Sequence, residues 1–259
     1  MSNQNDNIGQ AWVDSFRDHN TIYRFTAGLP YLRRFLRGPF MQLPLRYAAL
    51  RPSSRVLEAG CGSGKFSFCF ALLGHQVTAL DFSADILSNV RAAKADLEKA
   101  GGPLHLTTYQ GDLEQLDLPD EHFDLVINEG VVEHWLDQTA RRRVLAGMVR
   151  VTKPGGVVAV IIPNGSHPFI DTWVRQHPAF VSAPPMVNYT PPLLTADLSS
   201  VGLTQLEVDG IYAWRTLSEW PRTQLPYRLA GSALDHLIPL PRAVRRRWGL
   251  HLIGLGRKA

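Results

Sequence analysis

Cysteine is scarce in this chain: Cys61 and Cys69 are the only two among 259 residues. One lies inside a glycine-rich turn and the other in the apolar segment that follows. They provide neither a disulfide framework nor the spaced Cys/His sets of a zinc site, so a reduced, cytoplasmic protein with no bound metal is expected. Long apolar runs are missing too, since none approaches the roughly 20 residues that span a bilayer. Met1 to Asn7 is polar, and no secretory leader is expected there. An excess of charge is also lacking, because 27 Lys and Arg stand against 23 Asp and Glu, a formal +4. That is too little to argue for a nucleic-acid partner. What is present, 45% hydrophobic and 19% charged residues, suits one globular fold with a substantial core.

The densest information lies in Val56-Leu57-Glu58-Ala59-Gly60-Cys61-Gly62-Ser63-Gly64-Lys65. An apolar strand ends at an acid, three glycines follow at alternate positions, and a strongly apolar helix candidate, Phe66 to Leu73, comes next. Glycines at this spacing let the backbone turn tightly and approach a ligand that a β-carbon would push away. The helix then directs its N-terminal N–H groups and positive dipole end into the same space. A Walker loop is excluded twice, because Ala59 stands where its first glycine belongs and Phe66 stands where its hydroxyl belongs. The dinucleotide pattern needs two residues between its second and third glycines, and Gly62-Ser63-Gly64 has one.

Further landmarks follow in order. Gln76 to Leu80 reads as a second strand that delivers Asp81, about 20 residues past the glycines, where a nucleotide-binding βαβ unit places an acid for ribose hydroxyls. A third strand, Leu104 to Tyr109, leads into Gly111-Asp112-Leu113. A fourth, Phe123 to Asn128, ends in Glu129-Gly130-Val131-Val132-Glu133-His134. Lys153-Pro154-Gly155-Gly156 then turns into the apolar run Val157 to Ile162. Unbroken apolar strands of this kind belong to a parallel sheet covered by helices on both faces. Ligands bind such sheets beyond the carboxyl ends of the strands.

Over roughly residues 50–165 this series resembles the class I S-adenosylmethionine (SAM)-dependent methyltransferases. The strand-four and strand-five motifs look most like the ubiquinone- and menaquinone-biosynthesis-type small-molecule group. The resemblance implies an α/β, Rossmann-like three-layer sandwich with a seven-stranded, mostly parallel sheet whose last strand is antiparallel, and SAM as cofactor. It implies that Gly60, Cys61, Gly62 and Gly64 face the methionine portion and that Glu58 orients its ammonium group. Asp81 would accept the ribose hydroxyls with Phe82 beside the adenine. Asp112 and the Leu113 N–H would meet the adenine edge, and Asn128 and Glu129 would lie near the sulfonium. Asp112 as a turn acid is the competing reading, and a helix-cap role for Asp81 competes with Ser83. Asp124, at the start of strand four, reads as structural.

A catalytic base is harder to place. The Glu133-His134 pair follows strand four, and a histidine can take a proton near neutral pH. A purely buttressing His134 stands equally open, and His167 and His177 are lesser candidates. The loop Asn128-Glu129-Gly130-Val131 lacks the proline-aromatic signature of base-amine methylation, neither cysteine sits where cytosine-C5 methylation needs one, and Pro163-Asn164 replaces the Asp-Asn pair of metal-dependent catechol-type enzymes.

Around the core, residues 1–50 read as an N-terminal helical cap broken near Gly28-Leu29-Pro30 and Gly38-Pro39, with 51–259 as the methyltransferase domain. A proline-rich loop at 163–192 and an insertion at 211–248 interrupt that domain, and they are aromatic with scattered arginines. They suit a small hydrophobic or aromatic acceptor. The 211–248 segment also suits peripheral membrane contact or a homodimer interface. Arg141-Arg142-Arg143 reads as a solvated helix face. A macromolecule methyltransferase, or a SAM-binding partner without catalysis, is the alternative from another class.

Overall fold

The computed structural model describes residues 28–168, 185–213, 234 and 240–259. Expectations for Trp12, Phe16, Tyr23, Phe25, Trp173, His177, Phe180, Trp214, Trp220, Tyr227, Leu237 and Ile238 lie outside the described residues.

Helices α1 (Gly28–Leu36) and α2 (Pro39–Ala48) precede β1 (Arg55–Ala59), α3 (Lys65–Leu72), β2 (Gln76–Asp81), α4 (Ala84–Gly101) and β3 (Leu106–Gln110). Then come β4 (Phe123–Glu129), α5 (Gln138–Val151), β5 (Thr152–Pro163), α6 (Pro191–Ser200), β6 (Leu203–Ile211), α7 (Arg242–Trp248) and β7 (His251–Lys258). The seven strands pair in the order β3-β2-β1-β4-β5-β7-β6. β1 to β5 pair in parallel, and β7 runs antiparallel to both β5 and β6. This is the sheet expected from the sequence.

The pleat sends alternate residues to two cores. Val56, Val77, Leu125, Ile127, Val157 and Ile161 meet α1 to α4 on one face, while Leu57, Leu80, Val126, Val158, Val160 and Leu252 meet α5 and α6 on the other. Local signals set most boundaries. The Ser83 hydroxyl accepts from Ile86 N and caps α4, Asp137 accepts from Ala140 N and caps α5, and Thr190 caps α6. Asp124 accepts from Arg55 N and from Lys153 Nζ, both at 2.8 Å, and so ties the amino ends of β1, β4 and β5.

Two expectations change. β3 begins at Leu106 rather than Leu104, because Leu104 N donates to the Glu98 carboxylate (2.9 Å) and its carbonyl closes a tight turn onto Leu106 N (2.8 Å). Arg141 is not part of a solvated face. It is 4% exposed and ion-paired to Asp197 of α6 at 3.2 Å, while Arg142 and Arg143 are exposed. No helix among the described residues is long and apolar enough to cross a membrane.

Candidate active site

β1 is flanked by β2 on one side and β4 on the other. Its following helix, α3, packs on one face of the sheet, while α5, after β4, packs on the opposite face. The chain therefore parts at the carboxyl ends of β1 and β4 and leaves a crevice there.

The glycine turn forms the floor of this crevice. Gly60 N and Cys61 N both donate to Leu80 O, at 2.9 and 2.8 Å, and Gly64 N donates to Cys61 O at 2.8 Å. Gly60, Gly62 and Gly64 all have positive φ (78°, 47° and 71°), the left-handed region that favours glycine. A β-carbon on Gly60 would lie 2.6 Å from Val131 Cγ2 in the loop after β4, so this glycine also lets the two loops meet. Cys61 is buried, and its thiol is pushed well above its ordinary range by burial and by the neighbouring Glu58 and Asp81. It stays a thiol.

Helix α3 starts at Lys65 with Gly64 as its cap and no side-chain cap bond. One of its N–H groups, Ser67 N, donates to Glu58 Oε2 at 2.8 Å, and the Ser67 hydroxyl donates to the same oxygen at 2.5 Å. Glu58 thus braces the end of β1 against α3. Burial pushes its carboxyl up to about 8, partly offset by the two Ser67 bonds.

At the end of β2, Asp81 accepts from Gly62 N (3.0 Å) through one oxygen and from Ser83 N (3.1 Å) through the other. Burial pushes its pKa up to about 6 against those N–H groups. Phe82, next along, is 41% exposed, an unusual setting for a phenyl ring. Gly111 N donates to Asp81 O and Gln110 Nε2 to Phe82 O, both at 3.1 Å, which brings the end of β3 alongside. Asp112 is exposed there and caps its own 3₁₀ turn by accepting from Glu114 N at 2.9 Å, and the side chain of Leu113 is buried in the core.

The end of β4 completes the crevice. Asn128 is fully buried. Its Nδ2 donates to Ala59 O at 2.6 Å and its Oδ1 accepts from Val132 N at 3.4 Å, which staples β1 to the β4 loop. Glu129 is ion-paired to Lys65 at 2.9 Å. The Lys65 ammonium also lies 5.6, 5.7 and 5.6 Å from the ring centres of Phe35, Phe40 and Phe66. Burial lowers its pKa, but Glu129, with Tyr31 and Glu58, outweighs burial and the net shift is upward. Glu133 and His134 follow on a 3₁₀ turn, both buried. His134 Nδ1 lies 3.3 Å from Pro185 O, and Val187 N donates to Glu133 O at 2.7 Å. The far end of the proline-rich loop is therefore strapped onto this turn. At the near end, Asn164 is fully buried, with its Nδ2 donating to Arg246 O and Gly249 O, and His167 is buried and pushed down to about 4 by burial and by Arg247.

The crevice so gathers Gly60, Cys61, Gly62, Gly64, Glu58, Asp81, Asn128 and Glu129 through direct bonds between their loops, with Phe82 and Asp112 at its β2–β3 side. Lys65 and its ring of Phe35, Phe40 and Phe66 were not singled out in the sequence. A cation directly after the third glycine was the available signal, but the rings come from three different helices.

These carboxyls make the ligand-free protein pH-sensitive. Glu58 and Glu133 are pushed up to about 8 and Asp81 to about 6, all first by burial. A raised folded-state pKa gives stability that is present below the unfolded value and lost as pH rises through the folded value. His75, His122 and His167 are shifted down, chiefly by burial, and act oppositely below about 6.5, where they charge in the unfolded chain. Between pH 6.5 and 8.5 the carboxyls dominate, so the urea midpoint should fall with rising pH. A flat or rising midpoint over that window would contradict the buried, protonated carboxyls.

A sheet ordered 3-2-1-4-5-7-6, with the seventh strand reversed and a glycine turn at the β1–β4 switch, defines a class I methyltransferase fold. The sequence model of the family described as "Methyltransferase domain" matches residues 57–160. A malonyl-[acyl-carrier protein] O-methyltransferase from Pectobacterium atrosepticum is 38% identical over 117 residues, which cover 44% of this chain and 42% of that protein. A ubiquinone biosynthesis O-methyltransferase from Methylobacterium nodulans is 29% identical over 233 residues, 79% of this chain and 81% of that protein. Among solved structures, a SAM-dependent methyltransferase from Archaeoglobus fulgidus superposes with a TM-score of 0.56 at 18% identity, over 85% of this chain and 93% of that one. The matches to malonyl-type relatives span about two fifths of those proteins' lengths. The chain carries a class I, SAM-dependent methyltransferase domain.

Proposed function

We propose that this chain moves a methyl group from SAM to a small, hydrophobic or aromatic acceptor. The observation that carries the reading is the pairing of Asp81 with the glycine turn: Asp81 Oδ2 takes the Gly62 N–H, and an exposed phenyl ring follows it directly. The residues fit the cofactor. Each Asp81 oxygen accepts one main-chain bond and keeps a lone pair for a ribose hydroxyl. The uncapped start of α3 suits a carboxylate, and Phe82 offers an apolar face for a base. In this reading Asp112 and the Leu113 N–H meet the adenine edge. Gly60, Cys61, Gly62 and Gly64 line the methionine portion, Glu58 supports the turn that holds its ammonium group, and Asn128 and Glu129 flank the sulfonium.

The cofactor supplies an electrophilic methyl on a positively charged sulfur, and that charge disappears on transfer. The protein's part is alignment and exclusion of water. Helices α1 and α2, which bring Phe35 and Phe40 to the glycine turn, and the strap at 185–187 supply apolar walls for an acceptor. The names of the relatives, an O-methyltransferase of ubiquinone biosynthesis among them, favour a small molecule. A transfer screen with tritiated SAM against phenols, quinones, alcohols, amines, thiols and carboxylic acids, with mass spectrometry of products, should label at least one low-molecular-weight acceptor. Label found only in protein or RNA would replace the small-molecule reading with a macromolecular one.

A further inference from the structure

The Glu133 carboxyl is 1% exposed, and its Oε2 has no hydrogen-bond partner among the described residues. Its place is fixed by the main chain. It stands on the 3₁₀ turn directly after β4, whose main chain is tied to the strap by Val187 N donating to Glu133 O at 2.7 Å. Its Oε1 lies 4.0 Å from where a β-carbon on Gly130 would stand. Val131 in turn packs against Gly60 of the glycine turn. The group therefore sits on the β4 side of the crevice, next to the loop that cradles the cofactor. A buried polar atom left unmatched costs stability, and beside a ligand crevice it is open to a bound group. The neighbouring His134 has its Nδ1 3.3 Å from Pro185 O on the strap.

We propose that Glu133, not His134, takes the proton from the acceptor, and that the acceptor is a neutral hydroxyl or amine; the inference rests on the methyl-transfer reading above. Glu133 Oε2 gains the proton of the acceptor's X–H group as X forms its bond to the methyl carbon. The electron pair of the broken methyl–sulfur bond stays on sulfur. One positive and one negative charge vanish together, so the step balances without a further reactant. An anionic acceptor suits this side of the crevice less well, because Glu129 is near enough to raise the proton affinity of Glu133 and Lys65 is already ion-paired to Glu129. His134 acts as a positioning residue that holds the strap.

The charged groups around Glu133 set its pH response. Glu129 on β4 raises its proton affinity, Lys65 on α3 is held by Glu129, and Glu58 on β1 and Asp81 on β2 are the other carboxyls of the crevice. The proton-accepting form therefore grows as pH rises through the neutral range. A cation bound beside Glu133 should expel its proton.

Two measurements test this, one independent of turnover. Calorimetry of SAM binding at pH 7 in two buffers of different ionisation heat should show proton release by the wild type and markedly less by E133Q. Folding is checked by circular dichroism. In kinetics, E133Q should lower kcat by ~10²–10⁴ and lose the acidic limb of the pH–rate profile. E133D should keep that limb at a reduced rate, and H134Q should keep it while raising the acceptor KM. Equal proton release by E133Q and wild type, or an acidic limb that survives in E133Q and disappears in H134Q, overturns the assignment. Failure of the wild type to bind SAM overturns instead the reading on which it rests.

Discussion

Arg141→Ala should lower the melting temperature by about 6–20 °C, which corresponds to a loss of about 3–5 kcal/mol from breaking a buried ion pair at roughly 2–4 °C per kcal/mol in a domain of this size. Arg141 Nε donates to Asp197 Oδ2 at 3.2 Å, and its Nη1 donates to Trp135 O and Leu136 O, both at 2.9 Å. The same Asp197 oxygen accepts from the fully buried Tyr189 hydroxyl at 2.8 Å. One guanidinium thus joins the turn after β4 to helix α6 and, through Asp197, to Tyr189. Without it, Asp197 at 0% exposure loses its cation and keeps the Tyr189 hydroxyl, and two main-chain carbonyls lose the Arg141 donor. Asp197 already has one oxygen, Oδ1, with no partner among the described residues, so little is left to share the charge. Pairing Arg141→Met with Asp197→Leu should recover part of the loss, because an apolar replacement of a buried ion pair removes the desolvation cost along with the attraction. A melting temperature for Arg141→Ala within about 2 °C of wild type would show that the pair contributes nothing.

Asp81→Ala should weaken SAM and S-adenosylhomocysteine equally, by about ten- to a hundred-fold. Loss of a charged hydrogen-bond partner is worth roughly 1.5–3 kcal/mol. The two ligands differ only at the sulfur, so a common loss places the effect away from the sulfonium. The variant also frees Gly62 N and Ser83 N, which Asp81 now holds. Part of the loss is therefore slackening of the glycine turn, and Asp81→Asn should fall between wild type and alanine. Unchanged affinity in a folded Asp81→Ala protein would remove the ribose assignment.

The strands were legible because their apolar runs and terminal acids are local features. Val56 to Ala59, Gln76 to Asp81 and Phe123 to Glu129 each carry both the core pattern and the residue that reaches the crevice. Ser83 as a helix cap and Asp124 as a structural acid followed from position alone, and both make the bonds that their positions suggest. Partnerships between distant residues were not legible. Arg141 stands in a run of three arginines, and only its place on the inner face of α5, opposite an aspartate 56 residues away, separates it from its exposed neighbours. Lys65 meets Glu129 across 64 residues, inside a ring of phenyls drawn from α1, α2 and α3. The surroundings of Glu133 and His134 were equally out of reach of the sequence, since they depend on how a 3₁₀ turn buries one carboxyl with an oxygen unmatched among the described residues and brings the next ring against the strap.

Cofactor recognition by the glycine turn is tested most directly by calorimetric titration of the wild-type protein with SAM and, separately, with NAD. SAM should bind at a single site, with an affinity that drops in Asp81→Ala, and NAD should give no saturable heat. Saturable NAD binding, or no heat from SAM with a folded protein, would contradict it.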